Sequence, residues 1–262
     1  MNARLLRWGL PVAAGVFFLG LWYALRGVLG VPAWLVPVPH EILQAIWRER
    51  ALLTAAAGQT TQNALLGFLS AAGAGLAIAV VLGSSRFARR ALYPYLLILQ
   101  MTPVIVLAPL IILWIGRGMA SIVLVTFIVS FFPVVVNTTQ GMVSTDRNMV
   151  DLFEVWNARW WQRLFLLQLP YAMPFYFAGL RIAATLAPIG AIFGEYVTGS
   201  VAGGTGGLGF LTQVFNARQQ RAELFAVGAT SCLLGFVFLS VIALVNWLLL
   251  RRWHDSISRD DI

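Results

Sequence analysis

DLFEVWNARWWQRLFLLQLPYAMP, the stretch from Asp151 to Pro174, is a polar and amphipathic island in an otherwise strongly apolar chain. It lies between two hydrophobic runs and carries Asp151, Glu154, Arg159 and Arg163 together with Trp156, Trp160 and Trp161. Helical spacing predicts Trp156 and Trp160 on one face, four residues apart, with Arg159 and Arg163 on a neighbouring one. Leu169-Pro170 and Pro174 predict a turn into the next apolar run, because proline limits continuation of a helix. A soluble-side helix between membrane spans has to seat its apolar face somewhere. Two readings fit: a loop helix lying on lipid headgroups, or a coupling helix on which a soluble partner pushes.

The composition around this island sets the class. Of 262 residues, 60% are hydrophobic and 11% charged, and the mean hydropathy is +0.82. Those values exclude a soluble globular domain and predict an all-α polytopic membrane protein, read as one transmembrane domain over residues 1–262. The net charge of +8 is no sign of nucleic acid, because all 18 basic residues are arginines scattered at span ends. Cys232 stands alone in an apolar run, which leaves neither a disulfide nor a thiolate metal site. The opening MNARLLRW imitates a secretory signal. Its apolar run continues through Leu21-Trp22-Tyr23 without an obvious small-x-small cleavage site, which predicts a retained first span.

Six apolar stretches are long enough to cross a bilayer, near 8–28, 62–83, 94–115, 119–139, 172–197 and 224–250. With the N-terminus inside, the inner segments hold 11 arginines and the outer ones six, leaving Arg181 within the fifth span. That imbalance favours both termini in the cytoplasm and puts Asp151 to Pro170 there too. Gly67, Gly75 and Gly83 recur every eight residues, a spacing that lets helices approach closely in lipid. Pro103 and Pro109 free backbone carbonyls inside the third span, tolerable only where protein or a wet cavity satisfies them. A pathway-lining span and a Pro-kinked packing helix both fit. Charges within a span are functional candidates by default, which singles out Arg181 and Glu195. Arg181 is read as snorkelling to the cytoplasmic face or binding backbone carbonyls, Glu195 as lining a gate or reaching headgroup water.

The central stretch resembles the Glu-Ala-Ala loop of the inner-membrane permeases of bacterial ABC importers. Asp151-Leu152-Phe153 sits at the Glu-Ala-Ala place, Asn157 at the glycine and Leu167 at the aliphatic position, with Leu169-Pro170 closing the pattern. The spacing is kept although the identities change. Asn tolerates a left-handed backbone better than most residues, so the turn made by the family's glycine is expected to survive at Asn157. Leu35-Val36-Pro37-Val38-Pro39 is similar to the Leu-Pro-x-Pro segment of the nitrate, sulfonate and taurine permeases, and an ordinary Pro-rich loop with a short surface helix fits equally. Gln100-Met-Thr-Pro103, Ala108-Pro109-Leu110 and Trp114-Ile-Gly116 resemble runs of the same family, as do Phe131-Phe132-Pro133 and Asn137. Leu186-Ala-Pro-Ile-Gly190-Ala, Gly194-Glu195 and Gly207-Leu-Gly-Phe210 look most like the branch serving thiamine-precursor pyrimidines and riboflavin.

The resemblance implies a type I ABC importer permease fold of about six transmembrane helices, with a cytoplasmic coupling loop over about 140–171. It implies a second copy of the chain, two cytoplasmic ABC ATPase subunits that carry ATP and Mg, and a periplasmic solute-binding protein. This chain itself would hold no cofactor and would move a small solute inward by alternating access, in the bacterial inner membrane. The coupling residues it points to are Asp151, Glu154, Trp156, Asn157, Ala158, Arg159, Trp160, Leu169 and Pro170, and the pathway residues are Gln100, Pro103, Pro109, Arg181 and Glu195. An ATPase-independent channel or secondary transporter is the rival reading. It predicts intramembrane ionisable residues for ion coupling and an internal repeat. No span between residues 60 and 180 carries an acid, and no clear repeat is seen.

Other features are decoys. Gly204-Thr-Gly206-Gly207-Leu-Gly209 spells G-x-G-x-x-G, but a membrane span precedes it and it reads as a flexible outer loop. A chain without lysine has no P-loop lysine. His40 and His254 lie on opposite sides of the membrane in this topology and cannot share a metal. A credible catalytic set is absent from the spans, so a membrane-embedded enzyme is not expected.

Overall fold

The architecture rests on three long helices whose glycines let their backbones nearly touch. In a computed structural model, residues 3–28, 30–32, 35–199 and 206–250 are described. Helix α1 spans Ala3–Gly27, α2 Pro39–Arg48, α3 Arg50–Ser84, α4 Arg86–Gln100, α5 Val104–Ile115 and α6 Met119–Val143. Then come α7 Arg147–Val155, α8 Trp160–Arg163, a π-helical segment Leu164–Gln168, α9 Leu169–Thr198, α10 Leu208–Ala217 and α11 Arg221–Leu250. Every regular element among the described residues is a helix.

Helices α3 and α6 run side by side in the same direction. A methyl carbon added at Gly67 would lie 2.5 Å from Thr126, at Gly75 2.7 Å from Val134, and at Gly83 2.6 Å from the Met142 sulfur. The partners recur every eight residues, as the glycines do. Helix α9 packs antiparallel to α6: Gly141 faces Phe175, Gly179 faces Pro133 and Val134, Gly190 faces Thr126, and Gly194 faces Ile122. Lipid supplies no hydrophobic drive for helix association, so this close fit is what holds the bundle. The predicted role of Gly67, Gly75 and Gly83 is therefore seen directly.

Among the described residues, four helices are long and apolar enough to cross a membrane: α3, α6, the run from Trp160 to Thr198, and α11. Helices α4 and α5 bend by 99° at Met101–Pro103 and together make a fifth crossing if counted as one span. The span expected over 94–115 thus begins at Arg86 and is sharply broken at Pro103. Pro103 cannot donate to the preceding turn and takes an extended conformation (φ −63°, ψ 117°), so the first helix stops and the second starts there. The apolar part of α1 runs from Gly9 to Leu25. Among its described side chains, Trp22 reaches inward, donating from Nε1 to the Pro37 carbonyl at 3.1 Å.

A second core caps the bundle at the end where α3 and α11 begin. Ile42 and Ala45 of α2, Leu53 and Ala56 of α3, Leu208, Leu211 and Phe215 of α10, and Ala226 of α11 are buried together. An ion pair between Arg48 and Glu223 ties α2 to α11 at the same end.

Candidate functional site

The stretch expected to form one amphipathic helix is divided in two, and the division is built by Asn157. Helix α7 ends at Val155, and Asn157 adopts φ +49°. Its N–H donates to the Glu154 carbonyl at 2.9 Å, while Ala158 N–H donates to the Phe153 carbonyl at 2.9 Å. This is a Schellman end, in which a left-handed residue returns the last carbonyls to bonded partners. The residue in the glycine's place makes the turn. Because the chain turns there, Trp156 and Trp160 do not share one helical face, which corrects the i, i+4 expectation.

Beyond the turn, Arg159 N–H donates to Gln162 Oε1 at 2.7 Å and starts α8. From Trp160 the chain remains helical to Thr198. No turn occurs at Pro170. The π segment Leu164–Gln168 widens the helix just before it, with Leu169 N–H bonded to the Leu164 carbonyl five residues back. Pro170 then follows just after the π segment, within continuous helix. Pro174 is carried within the helix. Leu164 is buried against Met142 and Ala172, which fixes the π segment to the end of α6.

The surface of this loop exposes several large apolar side chains. Val155 is 76% exposed, Trp156 71% and Trp160 68%, with Met149, Leu152 and Trp161 exposed beside them. Arg163 Nη1 and Glu154 Oε1, 3.1 Å apart, join α8 to α7. A polar cavity of about 720 Å³ opens beside the loop, lined by Arg86, Arg89, Arg147, Asp151, Glu154 and Arg163 among others. Such a face has room and chemistry for a soluble partner.

The expected pathway residues do not form one cluster. Gln100, Pro103 and Pro109 are exposed along the bent α4–α5 pair. Helix α5 meets the far part of α9 through Ala108 and Ile111, against Val125 with Phe193 and Val197 alongside. Arg181 is exposed on α9, roughly 18 Å along the axis from Leu169 and 26 Å from Thr198 at 1.5 Å per residue. That depth is close to the middle of the helix. The hydroxyl of Thr185 and the side chains of Ala178, Ile182 and Ile189 share its open face.

Glu195 lies elsewhere. Instead of reaching headgroup water it is 1% exposed. Its Oε2 accepts from Thr60 Oγ1 at 2.8 Å and from Gly209 N–H at 3.1 Å, and its Oε1 accepts from Asn63 Nδ2 at 2.8 Å. Thr60 Oγ1 also accepts from Leu208 N–H at 2.9 Å. Thr60, Asn63, Gly207 and Gly209 are residues that the sequence reading missed. The pair of glycines around Leu208 was the available signal of a backbone pressed against something. Of the expected flexible loop at Gly204–Gly209, residues up to 205 lie outside the described residues, as does His254. Gly207 to Gly209 form the start of α10. Among the described residues, no three His, Cys, Asp or Glu side chains converge as metal ligands would.

Comparison with known proteins bears on the family of the chain. The family described as binding-protein-dependent transport system inner membrane component matches residues 65–254. The chain is 33% identical over 250 residues to a riboflavin transport system permease protein of Chloroflexus aurantiacus, covering 95% of this chain and 91% of that one. It is 34% identical over 247 residues to a formylaminopyrimidine transport permease protein of Halalkalibacterium halodurans, covering 89% and 93%. A probable ABC transporter permease protein of Haemophilus influenzae is 33% identical over 251 residues, covering 96% and 98%.

Proposed function

The chain belongs to the family of binding-protein-dependent transport system inner membrane components, and on that premise we propose that it couples a cytoplasmic ATPase to inward movement of a small solute. It is a multi-pass inner-membrane permease, a transport subunit. The finer account is our reading. Two copies of the chain enclose the pathway, both termini face the cytoplasm, and a periplasmic binding protein delivers the solute. Two ATPase subunits, holding ATP and Mg themselves, dock on α7 and α8.

One observation carries the reading: helical backbone runs unbroken from Trp160, on the exposed loop, to Thr198 at the far end of α9. A push on Trp160 therefore reaches a membrane span along continuous helix. Asp151, Ala158 and Arg159 belong to the same docking face, and Leu169-Pro170 mark where the face becomes the span. Closure of the ATPases on ATP would tilt α9 and open the pathway outward, and hydrolysis would reset it, which is alternating access.

Arg181 supports a pathway along the open face of α9. A guanidinium at mid-span is costly against lipid. The face that carries it therefore meets water or a second copy. Gln100, Pro103 and Pro109 of the bent pair would line the edge of the same pathway in this reading. The relatives named for riboflavin and formylaminopyrimidine transport favour a planar, oxygen-bearing nitrogen heterocycle as cargo, whose carbonyls a guanidinium would bind.

The test is co-purification of the tagged chain with its ATPase, followed by hydrolysis assays in nanodiscs. Wild type should retain the ATPase, and the pair Trp156→Asp, Trp160→Asp should release it. Retention by the double variant would contradict docking at this face.

A further inference from the structure

The buried Glu195 has a task that contact with cargo does not explain. Helix α10 begins at Leu208, and its N-cap residue is Gly207, which has no side chain with which to cap. The first N–H groups of a helix need acceptors, and here two other helices supply them. Thr60 of α3 takes the N–H of Leu208, and Glu195 of α9 takes that of Gly209. A carboxylate at a helix N-terminus also meets the positive end of the helix dipole. Both glycines are required by this contact. A Cβ at Gly207 would fall 2.1 Å from the Glu195 carboxyl, and one at Gly209 would fall 2.0 Å from the Ile192 carbonyl.

A well-packed apolar side chain would hold α10 with no charge to desolvate. The carboxylate instead makes a directional junction with a single register, because three donors, two from α3 and one from α10, converge on its two oxygens. Asn63 completes it and retains a spare acceptor, since its Oδ1 is buried without a partner. At the opposite end of the same helix stands the loop that carries Trp156 and Trp160. Helix α9 thus joins the two.

We propose that Glu195 is a positioning residue that locks α10 to α3 and α9, so that displacement of α9 at the coupling loop moves α10 with it. The proposal rests on the importer reading above for the source of that displacement. The junction itself does not depend on it.

The experiment uses the full chain, alone and with its ATPase and binding protein, in nanodiscs and proteoliposomes. Spin labels are placed at the exposed Ile189 of α9 and Asn216 of α10, with labelled chain diluted in unlabelled. In the chain alone, Glu195→Ala should broaden the distance distribution, and Glu195→Gln should keep it narrow. The amide is tolerated because Asn63 can turn its carboxamide over and present the unpartnered Oδ1 to the new N–H. In the complete transporter, Glu195→Ala should keep ATPase binding and basal hydrolysis. It should lose solute uptake by roughly tenfold or more, the scale set by losing hydrogen bonds to a charged group, whereas Glu195→Gln retains uptake. In wild type the label distance should be the same with and without trapped nucleotide. A wild-type distance that changes between those states, or undiminished uptake by Glu195→Ala, overturns the proposal. Absence of ATP-driven uptake in wild type overturns the relay together with the importer reading, and the label distances in the chain alone identify that case.

Discussion

Glu154 and Arg163 meet at 3.1 Å across the turn that Asn157 makes, so the two arms of the loop are joined by an ion pair. The pair is solvent-exposed, with side chains 62% and 33% accessible, and its contribution to stability is at most about 1 kcal/mol. Its value lies in geometry. Arg163→Glu should leave thermal unfolding of the purified chain nearly unchanged and weaken ATPase co-purification. Adding Glu154→Arg to it should restore part of that binding. Equal loss of unfolding temperature and of binding would mean that the pair is a folding element instead.

Asn157 sets the angle between α7 and α8. Its φ of +49° suits glycine and asparagine and strains a β-branched residue. Asn157→Gly should be neutral in a thermal melt and keep ATPase binding. Asn157→Val should destabilise by about 1–2 kcal/mol, the range for a non-glycine residue forced into the left-handed region. It should also impair docking, because the angle between α7 and α8 changes.

The glycine contacts give a prediction with an internal control. At Gly179 a methyl group would lie 2.9 Å from the Pro133 carbonyl oxygen and 3.1 Å from the Val134 Cα, backbone atoms that cannot step aside. At Gly73 nothing lies within 4 Å. Gly179→Ala should therefore lower stability by about 1–3 kcal/mol through overpacking. Gly73→Ala should be neutral or raise it by up to ~1 kcal/mol through helix propensity. Thermal unfolding in detergent distinguishes them, and the opposite order would refute the α6–α9 packing described above.

Arg181 should separate binding of the ATPase from movement of the solute. Arg181→Ala is expected to co-purify with the ATPase as wild type does, and to lower uptake by roughly tenfold if one charge-assisted hydrogen bond to cargo is lost. Uptake at the wild-type rate would remove Arg181 from the pathway.

Much of this architecture is legible in the sequence because it depends on local rules. Apolar length marks the spans, eight-residue glycine spacing marks the α3–α6 contact, and an asparagine in a glycine's place marks the left-handed turn. The failures have equally specific causes. Trp156 and Trp160 were placed on one face because period counting assumes a continuous helix, and the turn at Asn157 interrupts it. Pro170 was read as a turn because proline normally stops a helix. Here the π segment before it absorbs the missing donor. Over 94–115 the prolines mark a kink, but hydropathy alone does not give the size of the bend that Pro103 imposes or its start at Arg86. The junction at Glu195 was invisible for a different reason: Thr60 and Asn63 lie 135 and 132 residues away in sequence. Only the folded bundle brings them together.

The most direct test of the coupling account breaks the connection between loop and span while leaving both ends intact. Two glycines inserted between Gln168 and Leu169 would interrupt the rigid helix from Trp160 to Thr198. ATP hydrolysis and solute uptake would then be measured together in proteoliposomes containing the ATPase and the binding protein. The account predicts that the ATPase still binds and hydrolyses ATP while uptake is lost. Uptake that persists with the insertion, or uptake by this chain with no ATPase present, would contradict it.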